Sequence, residues 1–266
     1  MKENLNLTTF KSVWIDEYPV YSFTVDIAGR LQVPVLCQFM QESAWHHARH
    51  MELGYEELLR RNLVWVLTRQ IIQIDKHPHW QDTVQIQTWP TGCDPFFCYR
   101  DFHILNEKEE IIARASTSWS VINLATRRIE PTSTYYAADR PRHSVQAFPG
   151  RTFEKIPQIE AGTEACRFSV RYSDLDPNQH VNNVKYIEWA LNNFDADFHR
   201  RHQISELEIN YLAEAFYGDS IRCSYAPTGK GEFLHDIVRE SDQKSVSRVR
   251  TRWLPVNFPG KGFLPQ

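Results

Sequence analysis

Between Tyr172 and Trp189 the chain reads YSDLDPNQHVNNVKYIEW, and within it Asp174, Asp176, Asn178 and His180 recur at every second position. In extended backbone, residues two apart project to the same side, so two acids, an amide and an imidazole are expected to converge on one spot. The run passes straight into Val181, Val184, Ile187 and Leu191, spaced for one face of a helix. The electropositive start of that helix would lie beside the polar cluster, where it suits a developing negative charge. Such a set can polarise or attack a carbonyl group. Structural duties account for part of it. DPN is an ordinary turn signature, and Asp174, Asn182 and Asn183 read as turn formers or helix caps.

The elements that must position this cluster are written twice. LTRQIIQIDKHPHWQDTVQIQTWPTG, from Leu67 to Gly92, is echoed by ISELEINYLAEAFYGDSIRCSYAPTG, from Ile204 to Gly229. Asp82 pairs with Asp219, Pro90 with Pro227 and Gly92 with Gly229 at one constant offset. After each copy comes a further pair of alternating segments around a polar turn, ending near Trp119 and Trp253. This pattern predicts antiparallel sheet. Each copy is preceded by a predicted helix. The first covers Val35 to Met51, with Val35, Phe39 and Met40 on its apolar side, and the second covers Val181 to Phe194. A helix cradled by an antiparallel sheet, twice over, is an α+β architecture. Residues 1–130 and 166–255 form the two units. The segment 131–165, with Pro131, Pro141, Pro149 and Pro157, connects them, and 256–266 is a tail expected to be poorly ordered.

Bulk composition narrows the function classes. An apolar fraction of 42% with 24% charged residues is ordinary for a globular protein, and 13% aromatics favours sheet or an apolar ligand site. A net charge of −3 gives no footing for nucleic acid. No apolar run is long enough to span a membrane, and MKENLNLTTF resembles neither a secretory signal nor a transit peptide. Five cysteines (Cys37, Cys93, Cys98, Cys166 and Cys223) without CxxC spacing read as reduced thiols, which points to the cytoplasm. His46 and His50 lie one helical turn apart, but HHARH lacks the Glu of HExxH and offers no further ligand, so no metal or other cofactor is expected. Trp65, Phe96, Phe97 and Trp119 read as core residues or as the lining of an apolar tunnel.

With its duplication and its NQHVNNVKY run, the chain resembles the acyl-acyl carrier protein thioesterases of plants and bacteria over Tyr18 to Pro255. The resemblance implies two tandem hotdog domains, the first holding the acyl chain and the second catalytic. It implies a partner too, the acyl carrier protein with its acylated phosphopantetheine arm. Its D-x-N-x-H motif falls on Asp176, Asn178 and His180, and its downstream glutamate falls on Glu214 in NYLAEAFYGDS. The family commonly places a Cys after that Glu. Here Ala215 stands there, which argues against a cysteine nucleophile. A thioester is already activated, so water, a base and oxyanion donors suffice. Glu214 is the favoured base, His180 shares proton handling or orients the water, Asn178 donates its amide, and Asp176 orients Asn178 or His180. The division between Glu214, His180 and Asp176 stays open at this level. In the first half, VPV (Val33 to Val35) falls roughly where the second half has NQH, which would remove the catalytic set there. Competing readings are an acyl-CoA thioesterase of the same fold and a non-catalytic acyl-binding hotdog protein. A monomer and a homodimer are both compatible, because two fused units mimic the dimer of single ones.

Overall fold

The computed structural model describes residues 10–136, 140 and 142–257. The beginning of the chain and most of the expected tail, 258–266, lie outside the described residues. Strand β1 (Trp14–Pro19) leads through a 3-10 turn into helix α1 (Val33–His50) and the short helix α2 (Tyr55–Leu59). Strands β2 (Leu63–Ile74), β3 (Thr83–Cys93), β4 (Cys98–Leu105), β5 (Ile111–Asn123) and β6 (Arg128–Glu130) follow. The second half repeats the order with β7 (Thr163–Ser169), α3 (Asn183–Leu191), α4 (Ala196–Arg201), β8 (His202–Tyr211), β9 (Ser220–Gly229), β10 (Glu232–Arg239) and β11 (Lys244–Pro255). This is the α+β arrangement expected from the duplication and the tandem hotdog order that the resemblance implies. Strand β7 begins inside the segment read as the connection.

All strand pairings are antiparallel, and the sheet order is a palindrome: β1-β3-β4-β5-β2 from the first half, then β8-β11-β10-β9-β7 from the second. The halves join where β2 pairs with β8, Arg69 opposite Asn210 through Gln73 opposite Glu206. Burial alternates along the strands as a half-covered sheet requires. In β3, Val84, Ile86 and Thr88 are buried while Gln85 and Gln87 are only partly so. Helix α1 turns Val33, Leu36, Cys37, Met40 and Ala44 into the core at helical spacing. Of the apolar side expected for it, Met40 is buried, whereas Val35 and Phe39 sit at the margin. Helix α3 contributes Val184, Ile187 and Ala190. Both helices and both halves of the sheet share one apolar core that crosses the seam at Ile72, Leu207 and Ile209.

Two expectations are corrected. Cys93 and Cys98 form a disulfide, so the cysteines are not all reduced. The CDPFFC loop closes the β3–β4 hairpin, and this cross-strand register places the two residues opposite each other; chain spacing alone does not reveal such closeness. Cys37, Cys166 and Cys223 are free. The VPV segment is not the counterpart of NQH: Val33 to Val35 form the first turn of α1, with Pro34 where the missing N–H is harmless.

Two polar clusters are buried among these apolar residues. His235 accepts a hydrogen bond at Nδ1 from the Asn193 amide (3.0 Å) and donates from Nε2 to Thr251 (2.9 Å). His47 accepts at Nδ1 from Arg100 (3.1 Å) and donates from Nε2 to the Lys11 carbonyl (2.9 Å). Burial pushes both imidazoles down to about 3, with the Arg100 charge adding to the effect on His47. Between that value and an unfolded value near 6.5, the unfolded chain binds protons that the native one refuses. Their stabilisation is therefore complete above about pH 6.5 and is lost as pH falls toward 3. Urea unfolding at several pH values is expected to show this loss, with a shallower acid slope in His235→Gln, and an unchanged slope would refute the assignment. Leu207→Ala, at the fully buried seam, is expected to cost about 2–5 kcal/mol in the same titration.

Candidate active site

The loop that carries the polar cluster is a tight reversal, not the extended strand read from its alternation. The Asp176 N–H donates to the His180 carbonyl (2.8 Å), and the Gln179 N–H donates to the Asp176 carbonyl (2.9 Å). Asp176 Oδ1 accepts from the main-chain N–H groups of Asn178 (2.8 Å) and His180 (3.2 Å). Asp176 thus orients both residues through their backbones, not their side chains. Gln179 takes a left-handed φ of 65° at the tip of the reversal. Asn178 is left exposed and His180 half-buried, immediately before Asn182 caps α3 by accepting from the Val184 N–H (3.2 Å). Asp174 serves the preceding turn, where it accepts from the Arg171 N–H (2.8 Å).

Glu214 arrives from the segment between β8 and β9. His180 and Phe216 form a single β-bridge, with their rings edge to face at 5.1 Å. This register brings His180 Nδ1 to 3.4 Å from Glu214 Oε1. The Glu214 carbonyl accepts from the Arg239 guanidinium (2.7 Å), which fixes the local backbone. His180 and Glu214 therefore meet directly, and Asp176 holds the loop that presents His180 and, two residues earlier, Asn178. The next residue, Ala215, is wholly buried, and its N–H donates to the Tyr186 hydroxyl (3.1 Å). That position has no opening for a nucleophile.

Two contacts come from the first half, and no residue pattern marks either. The Tyr55 hydroxyl, at the start of α2, donates to Asn178 Oδ1 (3.1 Å). The Arg127 guanidinium, in the β5–β6 turn, donates to Glu214 Oε2 (3.0 Å). Both depend on the packing of one half against the other, for which a linear reading has no signal.

The first half builds the same loop with different chemistry. Asp26 Oδ1 accepts from the Ala28 N–H (2.8 Å) and the Arg30 N–H (3.0 Å), matching the two contacts of Asp176. Gly29 has the left-handed φ (74°) found at Gln179. Arg30 bridges to His79 as His180 bridges to Phe216. Ala28, Arg30 and His77 thus occupy the places of Asn178, His180 and Glu214. Arg30 donates to the carbonyls of His199 (2.8 Å) and His202 (3.0 Å), and His77 Nε2 donates to the Ile204 carbonyl (2.7 Å). These groups are buried and occupied in joining the halves.

A narrow gap with only about 10 Å³ of free space lies between α1, β2, β4 and β5 of the first half. Met40, Leu67, Phe102 and Trp119 line it, and it reaches Asn183 and Val184 at the start of α3, just beyond His180. Among its polar groups, Gln70 donates to Cys37 Sγ (3.0 Å), and the Trp119 indole donates to Thr117 Oγ1 (2.9 Å). Of the aromatic set picked from sequence, only Trp119 lines this space. Phe96 is exposed, and the Trp65 indole donates to the Leu53 carbonyl (2.8 Å). The helix histidines are engaged by protein groups, His46 with Asp16 (2.9 Å) and His50 with the Lys11 N–H (3.1 Å).

Two family descriptions match the chain, the acyl-ACP thioesterase N-terminal domain over residues 11–138 and the C-terminal domain over 158–255. A palmitoyl-acyl carrier protein thioesterase of Gossypium hirsutum is 29% identical over 96% of this chain and 67% of its own length. The chain spans about two thirds of the length of such curated plant relatives. The crystal structure of an acyl-ACP thioesterase from Bacteroides thetaiotaomicron superposes with a TM-score of 0.81 at 26% identity, covering 91% of this chain and 98% of that one. A 12:0-ACP thioesterase from Umbellularia californica shares the fold, with a TM-score of 0.82 at 23% identity over 92% and 98% of the two chains.

The burial of Ala215 can be checked directly. In Ala215→Cys, the new thiol is expected to resist iodoacetamide in the native protein and to react freely in urea. Rapid native labelling would contradict the geometry.

Proposed function

Because the chain belongs to the acyl-ACP thioesterase family, we propose that it hydrolyses fatty acyl-acyl carrier protein to free fatty acid and carrier, ending chain elongation. The observation that carries this reading is the meeting of His180 with Glu214 (3.4 Å) on the loop that bears Asn178 and leads into α3, whose first residues, Asn183 and Val184, border a narrow apolar gap of the other half. Widened by movement of its lining side chains, this gap would seat a linear acyl tail with its thioester at the polar end.

The residues suit direct attack by water. His180 and Glu214 form one proton-handling pair, with the carboxylate facing Nδ1 and fixing the ring. The pair takes a proton from water as the oxygen attacks the thioester carbon. The Asn178 amide stabilises the oxyanion, aided by the dipole of α3. Collapse of the intermediate expels the thiolate of the phosphopantetheine arm, which the pair reprotonates. Asp176 keeps the loop in register, its Oδ1 accepting from two N–H groups.

The same reading assigns 1–130 to the acyl chain, 131–165 to the connection, 166–255 to catalysis and 256–266 to a tail. One chain holds both halves of the seam, so activity requires no second copy, and a homodimer of tandem units is also compatible. A cytoplasmic setting is part of the proposal, resting on the free thiols of Cys37, Cys166 and Cys223 and weighed against the Cys93–Cys98 disulfide. Among the described residues, no helix is long and apolar enough to cross a membrane. The acyl carrier protein is favoured over coenzyme A as acyl donor because the family is named for it.

Purified protein is expected to turn over acyl-acyl carrier protein with a higher kcat/KM than the matched acyl-CoA. Asn178→Ala, His180→Ala and Glu214→Gln are each expected to lower kcat by roughly 10²–10⁴-fold with an unchanged melting temperature. Full activity in these variants would refute the site, and a preference for acyl-CoA would refute the carrier assignment.

A further inference from the structure

The half that lacks the catalytic set still touches it. The Tyr55 hydroxyl and the Arg127 guanidinium cross from the first half and end on two atoms, Asn178 Oδ1 (3.1 Å) and Glu214 Oε2 (3.0 Å). Each contact leaves the other polar end of its partner free for chemistry. A carboxamide has one accepting and one donating end. With Oδ1 held by the Tyr55 hydroxyl, Nδ2 is the end left to donate to a thioester oxygen. A reversed amide would aim a carbonyl dipole at that oxygen and repel it. Likewise Arg127 takes Oε2 of Glu214 and leaves Oε1 to face His180 Nδ1.

The matching loop of the first half shows that this pattern is not a generic need of the fold. There the opposite half meets Arg30 and His77 with the main-chain carbonyls of His199, His202 and Ile204. At the catalytic loop the opposite half reaches across with two side chains instead. Tyr55 and Arg127 are both largely exposed, so neither contact contributes much to the core.

We propose, resting on the hydrolase reading above, that Tyr55 and Arg127 are positioning residues supplied in trans by the first half. Tyr55 sets the amide of Asn178 donor-outward, and Arg127 sets the carboxylate of Glu214 toward His180. The assignment makes the active site a joint product of the two halves.

The test uses the full chain with Tyr55→Phe, Arg127→Gln and Arg127→Lys, assayed on an acyl-carrier substrate and on a small acyl thioester that lacks the carrier. Tyr55→Phe and Arg127→Gln are expected to lower kcat roughly tenfold on both substrates, with KM within about twofold. Arg127→Lys is expected to restore part of the loss, because an ammonium can still pair with the carboxylate. Tyr55→Phe is expected to add nothing in an Asn178→Ala background, since the amide it orients is gone. Additive losses there would overturn the role of Tyr55. A rise in KM confined to the carrier substrate would overturn that of Arg127 and make it a docking residue. If Asn178→Ala and Glu214→Gln themselves retain full activity, the hydrolase site is wrong. If they fail while Tyr55→Phe and Arg127→Gln do not, only the present proposal falls.

Discussion

The backbone pairing of β2 with β8 is the constraint on which the rest of the molecule depends. Five residue pairs, from Arg69 with Asn210 to Gln73 with Glu206, turn two curved sheets into one and set the halves in a fixed register. That register closes a common core around α1 and α3. It also carries α2 and the β5–β6 turn of one half to the loop of the other, so that Tyr55 and Arg127 reach groups far away in sequence. Without the seam there is neither a shared core nor a complete polar cluster.

Within that frame one local device is used twice. An aspartate folds back to accept two main-chain N–H groups, and a left-handed residue completes the reversal, at Asp26 with Gly29 and at Asp176 with Gln179. The backbone geometry is common to both loops, and the side chains give each its task. Arg30 and His77 spend their hydrogen bonds on carbonyls of the neighbouring half and help hold the molecule together. Asn178, His180 and Glu214 stay partly open to solvent. The first loop is structural cement, and the second is free to do chemistry.

Much of this was legible in the chain. The matched Asp82 and Asp219 gave the duplication, and the alternation around them gave antiparallel sheet. Asp176, Asn178 and His180 stand out in the local sequence, Glu214 only through the family resemblance, and the structure brings His180 and Glu214 within 3.4 Å. The losses share a cause. Alternation suggested an extended strand for Asp176 to His180, because residue types two apart look alike whether the backbone runs straight or reverses. The counterpart of NQH was sought in VPV, because the first-half helix region is longer and the true counterpart, Ala28-Gly29-Arg30, has little chemical likeness to it. The Cys93–Cys98 bridge and the reach of Tyr55 and Arg127 are tertiary facts, set by hairpin closure and by the seam, and they leave no trace in residue spacing.

The continuity of the sheet bears on what would happen to a severed molecule. Cutting the chain in its connecting segment and separating the pieces would bare β2 on one fragment and β8 on the other, each a long strand with unpaired amides and carbonyls. Each fragment would therefore seek a new edge partner, and a second copy of itself is the nearest match in shape. Two copies of the C-terminal piece joined along β8 would own two complete sets of motif side chains. Neither set would meet a tyrosine hydroxyl or a guanidinium from across the join.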